Sequence, residues 1–226
     1  MGKESAVIHT NPNLKHQIEF AEYLSHGLKK HGVNACITSQ IDAKANIHIV
    51  LGPHYAKSQW LGHSRTILLD RCFWGNHKQV VSLAWMTKDG GRVVLSGDND
   101  RPKPELQPWK TGDKVIELVD FGGQPSTGHN YRLHPTTSKP TETLDSALRR
   151  HDIAVGGVGT AMVTAAIYGL PVVCLDNRSV CLPMSSKSTN PIDIIRPSRE
   201  QWLNNLSYMN WSGSEIESGE AFEYLL

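Results

Sequence analysis

The stretch from Ile153 to Asp176 constrains the fold more than any other part of the chain: IAVGGVGTAMVTAAIYGLPVVCLD. A short apolar run, Ile153–Val155, enters a turn that carries Gly156, Gly157 and Gly159. A helix of small residues follows over Thr160–Tyr168. Gly-Leu-Pro then breaks it and leads into a second apolar run, Val172–Leu175. Apolar runs this short, bounded by glycine and proline, read as buried strands. Two strands with a helix between them predict a βαβ unit and a parallel sheet.

The glycine turn has a physical consequence of its own. Glycines let the backbone approach a ligand closely. The first turn of the helix that follows has free N–H groups and the positive end of the helix dipole. Together they form a seat for phosphate. A nicotinamide dinucleotide, a sugar nucleotide and a tight turn with no ligand are the three readings. Gly157-x-Gly159 opens like a dinucleotide fingerprint, and Asp176 ends the next strand, where an acid for the ribose belongs. Against that reading, the third glycine position is Met162, which crowds helix against strand, and the turn lies late in the chain.

The same alternation runs through the rest of the sequence. Ala6–His9 is an apolar run entering the turn TNPN. Leu14–His31 carries Ile18, Ala21, Leu24 and Leu28 on one helical face and stops at Gly32. Val33–Thr38, Ile47–Leu51 and Ile67–Asp70 read as strands. Asp98–Gly112 holds three prolines and no apolar period, and reads as a linker or long loop. Beyond it, Val115–Phe121 reads as a strand, Gly122–Gly123 as a turn, Tyr131–Leu133 as an extended lead into His-Pro, and Glu142–Arg150 as a short helix. The tail from Glu200 to Leu226 is expected to be helical, with Trp202, Trp211, Phe222 and Tyr224 packed back onto the body. The expected fold class is α/β, with two Rossmann-like halves, a central cleft and a C-terminal helical tail. The expected divisions are residues 1–98, a linker over 99–112, and residues 113–226.

Charge and composition narrow the function. A formal charge of +1 leaves no net basic footprint for nucleic acid. No apolar run approaches the ~20 residues that span a bilayer, and the start MGKESAVIHTN has no signal-peptide core. The expectation is a cytoplasmic protein without a membrane span. The four cysteines show no CxxC pair. Cys36 and Cys174 lie in strand-like runs and read as buried thiols. None of the eleven histidines has a zinc spacing, so no metal ligands are assigned.

LDSALRRHDIAVGGVGTAMVTAAIYGLPVVCLD resembles the sugar-nucleotide-binding half of GT-B glycosyltransferases, with its helix, strand, Gly-Thr turn, small-residue helix and Gly-x-Pro-Val-Val strand. VIELVDFGGQ is similar to the first strand and turn of that half, and YRLHP to the Arg-x-His-Pro stretch that follows. PNLKHQIEFAEYLSHGLKKHGVNACI looks like the opening helix of the other half. The resemblance implies transfer of a sugar from a nucleotide diphosphate sugar, such as a UDP-sugar, with no required cofactor or metal. Compact members of the fold include enzymes that glycosylate modified bases in phage DNA and transferases of cell-surface glycans. The implied acceptor is a glycan or a modified DNA base. The alternatives are a sugar-nucleotide epimerase of the same fold and a non-catalytic module that binds nucleotide sugar or glycan. The sequence assigns no oligomeric state.

The resemblance assigns the donor to Gly122, Gly123, Gln124, Arg132, His134, Gly157, Gly159, Thr160 and Thr164. Gly157, Gly159 and Thr160 would hold the leaving diphosphate, aided by Arg132, whose planar fork suits phosphate. Thr164 stands where many members place a Glu for the nucleotide ribose. An inverting transfer also needs a base for the acceptor hydroxyl. The candidates are His16 at the first helix, His54 in LGPHYAK, and Asp70 at the carboxyl end of ILLD.

Overall fold

The computed structural model describes residues 4–11, 13–40, 44–51, 65–98 and 100–226. In chain order the elements are β1 (Ser5–His9), α1 (Lys15–Lys30), β2 (Asn34–Thr38), β3 (Ile47–Leu51), β4 (Thr66–Arg71), β5 (Val80–Trp85), β6 (Val115–Leu118) and β7 (Asn130–Arg132). They continue with α2 (Leu144–Arg150), β8 (Ile153–Gly156), α3 (Thr160–Ile167), β9 (Val172–Cys174), α4 (Glu200–Ser207), β10 (Asn210–Ser212), α5 (Gly213–Ser218) and α6 (Glu220–Leu225).

The chain divides into two compact units, residues 1–102 with 203–226, and residues 103–202. The expected linker and tail are therefore redrawn. From Lys103 onward the proline-rich segment belongs to the second unit, because its polar groups are tied there. Lys110 Nζ donates to the carbonyls of Leu148 at 2.8 Å and His151 at 2.7 Å. Trp109 Nε1 donates to Pro197 O at 2.9 Å, and the guanidinium of Arg199 lies 3.8 Å from the Trp109 ring. The tail crosses into the first unit within α4.

The first unit is built on a six-stranded sheet, β10-β5-β4-β3-β1-β2. β1 to β4 are mutually parallel, while β5 and β10 add antiparallel strands at one side. One face buries Ile8, Ile49, Ile67 and Leu83 under Phe20, Leu24 and Leu28 of α1 and Phe222 of α6. α1 approaches the tail closely at Gly27, where a Cβ would stand 2.0 Å from Ile216 O. The tail is pinned by Arg101, which lies 3.6 Å over the ring of fully buried Trp211 and donates to Ser207 O and Asn210 O at 3.0 Å.

The second unit carries a four-stranded parallel sheet, β7-β6-β8-β9. α3 packs close to this sheet because of small residues. A Cβ at Gly156 would meet Met162 Sδ at 2.8 Å and Leu118 O at 2.7 Å. Both units are Rossmann-like in having parallel strands joined by helices, α1 between β1 and β2 in the first, and α2 and α3 on either side of β8 in the second. Among the described residues no helix is long and apolar enough to cross a membrane.

One thiol differs from expectation. Cys36 is exposed, because β2 is the outermost strand of its sheet. Cys174 is half-buried, and Cys72 and Cys181 are buried.

Candidate functional site

In open parallel sheets, ligands bind outside the carboxyl ends of the strands where the strand order reverses. In the second unit the chain passes from β6 to β7 on one side, then returns through α2 to β8 on the other. The reversal lies between β6 and β8. Asp120 follows β6 there, and Gly157 to Gly159 follow β8.

The structure puts these two segments in contact. Asp120 Oδ2 accepts the N–H of Val158 at 2.8 Å, and Oδ1 accepts the N–H of Gly159 at 2.9 Å. A Cβ at Gly157 would lie 2.3 Å from Asp120 Oδ2, and one at Gly159 would lie 2.4 Å from Oδ1. Both glycines are therefore required by the carboxylate. A carboxylate at a helix N-terminus, accepting charged hydrogen bonds from the backbone, is a stabilising arrangement. The seat that the sequence offers to phosphate is filled here by the chain's own Asp120.

The neighbouring loop joins the same edge. Asp120 O accepts the N–H of Gly123 at 3.0 Å, closing a turn in which Gly122 has φ +70°. The Gly122 N–H donates to Thr137 Oγ1 at 3.1 Å, tying the loop after β6 to the one after β7. His134 lies in that second loop, with its ring edge-on to Phe121 at 5.7 Å. His134 Nδ1 accepts the N–H of Thr136 at 3.2 Å, which assigns the proton of the neutral ring to Nε2. Gln124 is exposed on the first of these loops, after β6.

Other expected donor residues are engaged differently. Thr164 Oγ1 donates back to Thr160 O at 3.2 Å, inside the helix. Arg132 ends β7 half-buried, with its Nε buried and without a hydrogen-bond partner. Burial works against its charge, and the Glu142 carboxylate opposes that effect. Two residues beyond β9, Asp176 is ion-paired with Arg178 at 2.6 Å, and this bond holds its carboxyl below the usual range.

Sequence reasoning missed Glu117. This residue of β6 is buried, and its carboxylate accepts the N–H groups of Ser126 at 2.9 Å and Thr127 at 2.9 Å, together with both hydroxyls. Burial pushes its pKa up, but the bonds from Thr127 and Ser126 outweigh burial and lower it. Glu117 thus anchors the loop that carries Gln124 and Ser126. The visible signal is an acid in the middle of the apolar run VIELV.

In the first unit, His16 is exposed on the first turn of α1, and His54 lies outside the described residues. Asp70, next to last in β4, is ion-paired with Arg92 Nη2 at 2.6 Å, and its other oxygen accepts the Arg71 N–H at 2.7 Å. Arg92 is largely buried, at 11% side-chain exposure, so the pair is not a loose surface contact. The carboxylate is built as a paired, fixed group.

The strand order of this sheet reverses between β1 and β3. Two buried histidines meet there. His9 Nε2 and His48 Nδ1 are 3.2 Å apart, and the rings stack at 5.5 Å. His9 Nδ1 faces Gln40 O at 3.1 Å, and a carbonyl can only accept. In the neutral pair His9 therefore carries its proton on Nδ1, and His48 donates from Nδ1. Burial lowers the His9 pKa; the Gln40 carbonyl opposes this and His48 adds to it. Among the described residues no three His, Cys, Asp or Glu side chains are grouped to hold a metal ion.

No family model matches the chain, and no curated protein matches it. Among solved structures, one similarity is to a heterocyclase in complex with substrate and cofactor, at 18% identity and a TM-score of 0.26. It covers 36% of this chain and only 11% of that one, and carries no argument. A second is to Thermosulfurimonas dismutans KpsC, a beta Kdo 2,7 transferase, at 10% identity and a TM-score of 0.51. It covers 97% of this chain and 99% of that one, so the likeness is one of fold, along nearly the whole length, to a glycosyltransferase.

Proposed function

We propose that the chain is a GT-B-type enzyme that transfers a sugar from a nucleotide sugar, with the donor bound at the carboxyl edge of β6, β7 and β8. The observation that carries this reading is that Asp120 holds the N-terminus of α3 at the reversal of strand order, with His134 edge-on to the next residue, Phe121. The full-length likeness in fold to a glycosyltransferase supports it.

In this proposal Asp120 takes a hydroxyl of the donor, since its oxygens are already oriented by two backbone N–H groups. Because those two groups are occupied, the donor phosphate sits outward of them. It would meet the first-turn N–H groups of α3 at Thr160 and Ala161. These donors are fixed before the leaving group develops charge, which is where preorganised hydrogen bonds act most strongly. They take the place of a cation, so the proposed transfer is metal-independent. The acceptor and its base belong to the first unit, where His16, His54 and Asp70 remain the candidates.

A second reading is a module that binds a nucleotide sugar without turning it over. The bond of Thr164 into its own helix favours it, since the hydroxyl that replaces the expected Glu is already used. Incubation with a panel of labelled nucleotide sugars separates the two. Slow release of free sugar, lost in His134→Ala, supports the transferase. Binding without release supports the module, and neither binding nor release sinks both.

A further inference from the structure

β2 is the outer strand of the six-stranded sheet, with β1 on one side and no strand on the other among the described residues. Its bonds fix the direction of each peptide group. Asn34 donates its N–H to Glu4 O, and Thr38 O accepts the N–H of Thr10, both at 3.0 Å. The alternation of a strand puts Cys36 with them, facing β1. The N–H and C=O groups of Ala35 and Ile37 therefore point outward. Among the described residues the strand carries none of the usual protections of an edge. NACIT has no charge and no proline, and its register with β1 runs unbroken from Ser5↔Asn34 to His9↔Thr38. Cys36 is exposed, and Ile37 keeps 39% of its surface in solvent.

We infer that β2 is an interface for a second copy of this chain, paired antiparallel about a two-fold axis at Cys36. The outward groups are placed symmetrically, one residue to each side of Cys36. Setting Cys36 opposite its own copy puts Ala35 opposite Ile37 of the second chain, in the position where residues exchange both N–H···O bonds. One symmetric register thus satisfies every outward group of Ala35 and Ile37 in both chains, as a self-complementary interface requires. The uncharged strand meets itself without repulsion. Cys36, whose own groups face β1, falls in the non-hydrogen-bonded position, where opposite Cα atoms are about 4.5 Å apart. That spacing lies inside the range a disulfide accepts.

The test uses the full chain under reducing conditions, by sedimentation equilibrium over a wide concentration range, followed by brief oxidation with diamide. Diamide takes up the two electrons and two protons that the paired thiols release as the S–S bond forms. The inference predicts a mass that doubles with concentration and a covalent dimer after oxidation. Cys36→Ser should keep the reversible dimer and lose the covalent one. Ile37→Lys and Ala35→Pro should lose the reversible dimer, and Ile37→Lys alone decides if Ala35→Pro does not fold. A wild type that stays monomeric throughout, or a dimer unchanged by Ile37→Lys, overturns the interface. A reversible dimer that diamide does not link overturns the Cys36 register.

Discussion

The carboxylate of Asp120 accepts the backbone N–H of Gly159 at 2.9 Å, across 39 positions of sequence. Its second oxygen holds Val158 in the same way, so one side chain closes the glycine turn. Removing it with Asp120→Ala leaves two backbone donors without their partner. The expected loss is about 1–3 kcal/mol in urea unfolding, and inorganic phosphate should recover part of it by entering the vacated seat. Phosphate that stabilises wild type and variant equally would show that the seat was never held by Asp120.

Gly159→Ala approaches the same contact from the other side. The new Cβ would stand 2.4 Å from Asp120 Oδ1, so the carboxylate must move. The variant should be destabilised by roughly 1–3 kcal/mol, the range for displacing a half-buried, hydrogen-bonded carboxylate. In the Asp120→Ala background the same substitution should cost clearly less. Equal costs in both backgrounds would rule out the clash as the cause.

The His9–His48 pair makes the first unit sensitive to acid. The folded state lowers the His9 pKa from its ordinary 6.5, chiefly through burial. Stability from the neutral ring is then full above 6.5 and declines as pH falls through the lower folded value. Melting temperature should drop between pH 7 and pH 5, and the slope should flatten in His9→Gln. A slope identical in the variant would assign the acid sensitivity elsewhere.

Asp70 and Arg92 are partly shielded, at 25% and 11% side-chain exposure. Their coupling in a double-mutant cycle of Asp70→Asn and Arg92→Met should fall near 1–3 kcal/mol, between exposed and fully buried pairs. A coupling within error of zero would mean that the pair contributes only geometry.

These sites show what the sequence makes legible. The parallel strands β1, β3, β8 and β9 are readable because each is a short apolar run between breakers. β5 and β10 are not. VVSLAW is flanked directly by HKQ and MTK, with the nearest breakers four residues away at Asn76 and Asp89, and the three residues of β10 sit in an aromatic tail that reads as helix. The glycine turn and His134 are visible as local motifs. Asp120 as the partner of the turn and His9 against His48 are not, because each contact depends on strand order; Glu117 shows only as an acid inside the apolar run VIELV, and nothing local names Ser126 and Thr127 as its partners. Cys36 reads as buried for the same reason: an apolar run does not say whether its strand lies inside or at the edge. Placing the tail with the second half fails because β10 pairs with β5, a contact between residues 210–212 and 80–82.

The central claim is that a nucleotide sugar binds at the carboxyl edge of β6, β7 and β8. Its most direct test is titration of the ¹⁵N-labelled chain with uridine diphosphate and UDP-glucose, followed by amide resonances. The account predicts saturable shifts at Val158, Gly159, Thr160, Ala161 and Thr136, greatly weakened in His134→Ala. Saturable shifts confined to other residues, with these five unmoved, would contradict it.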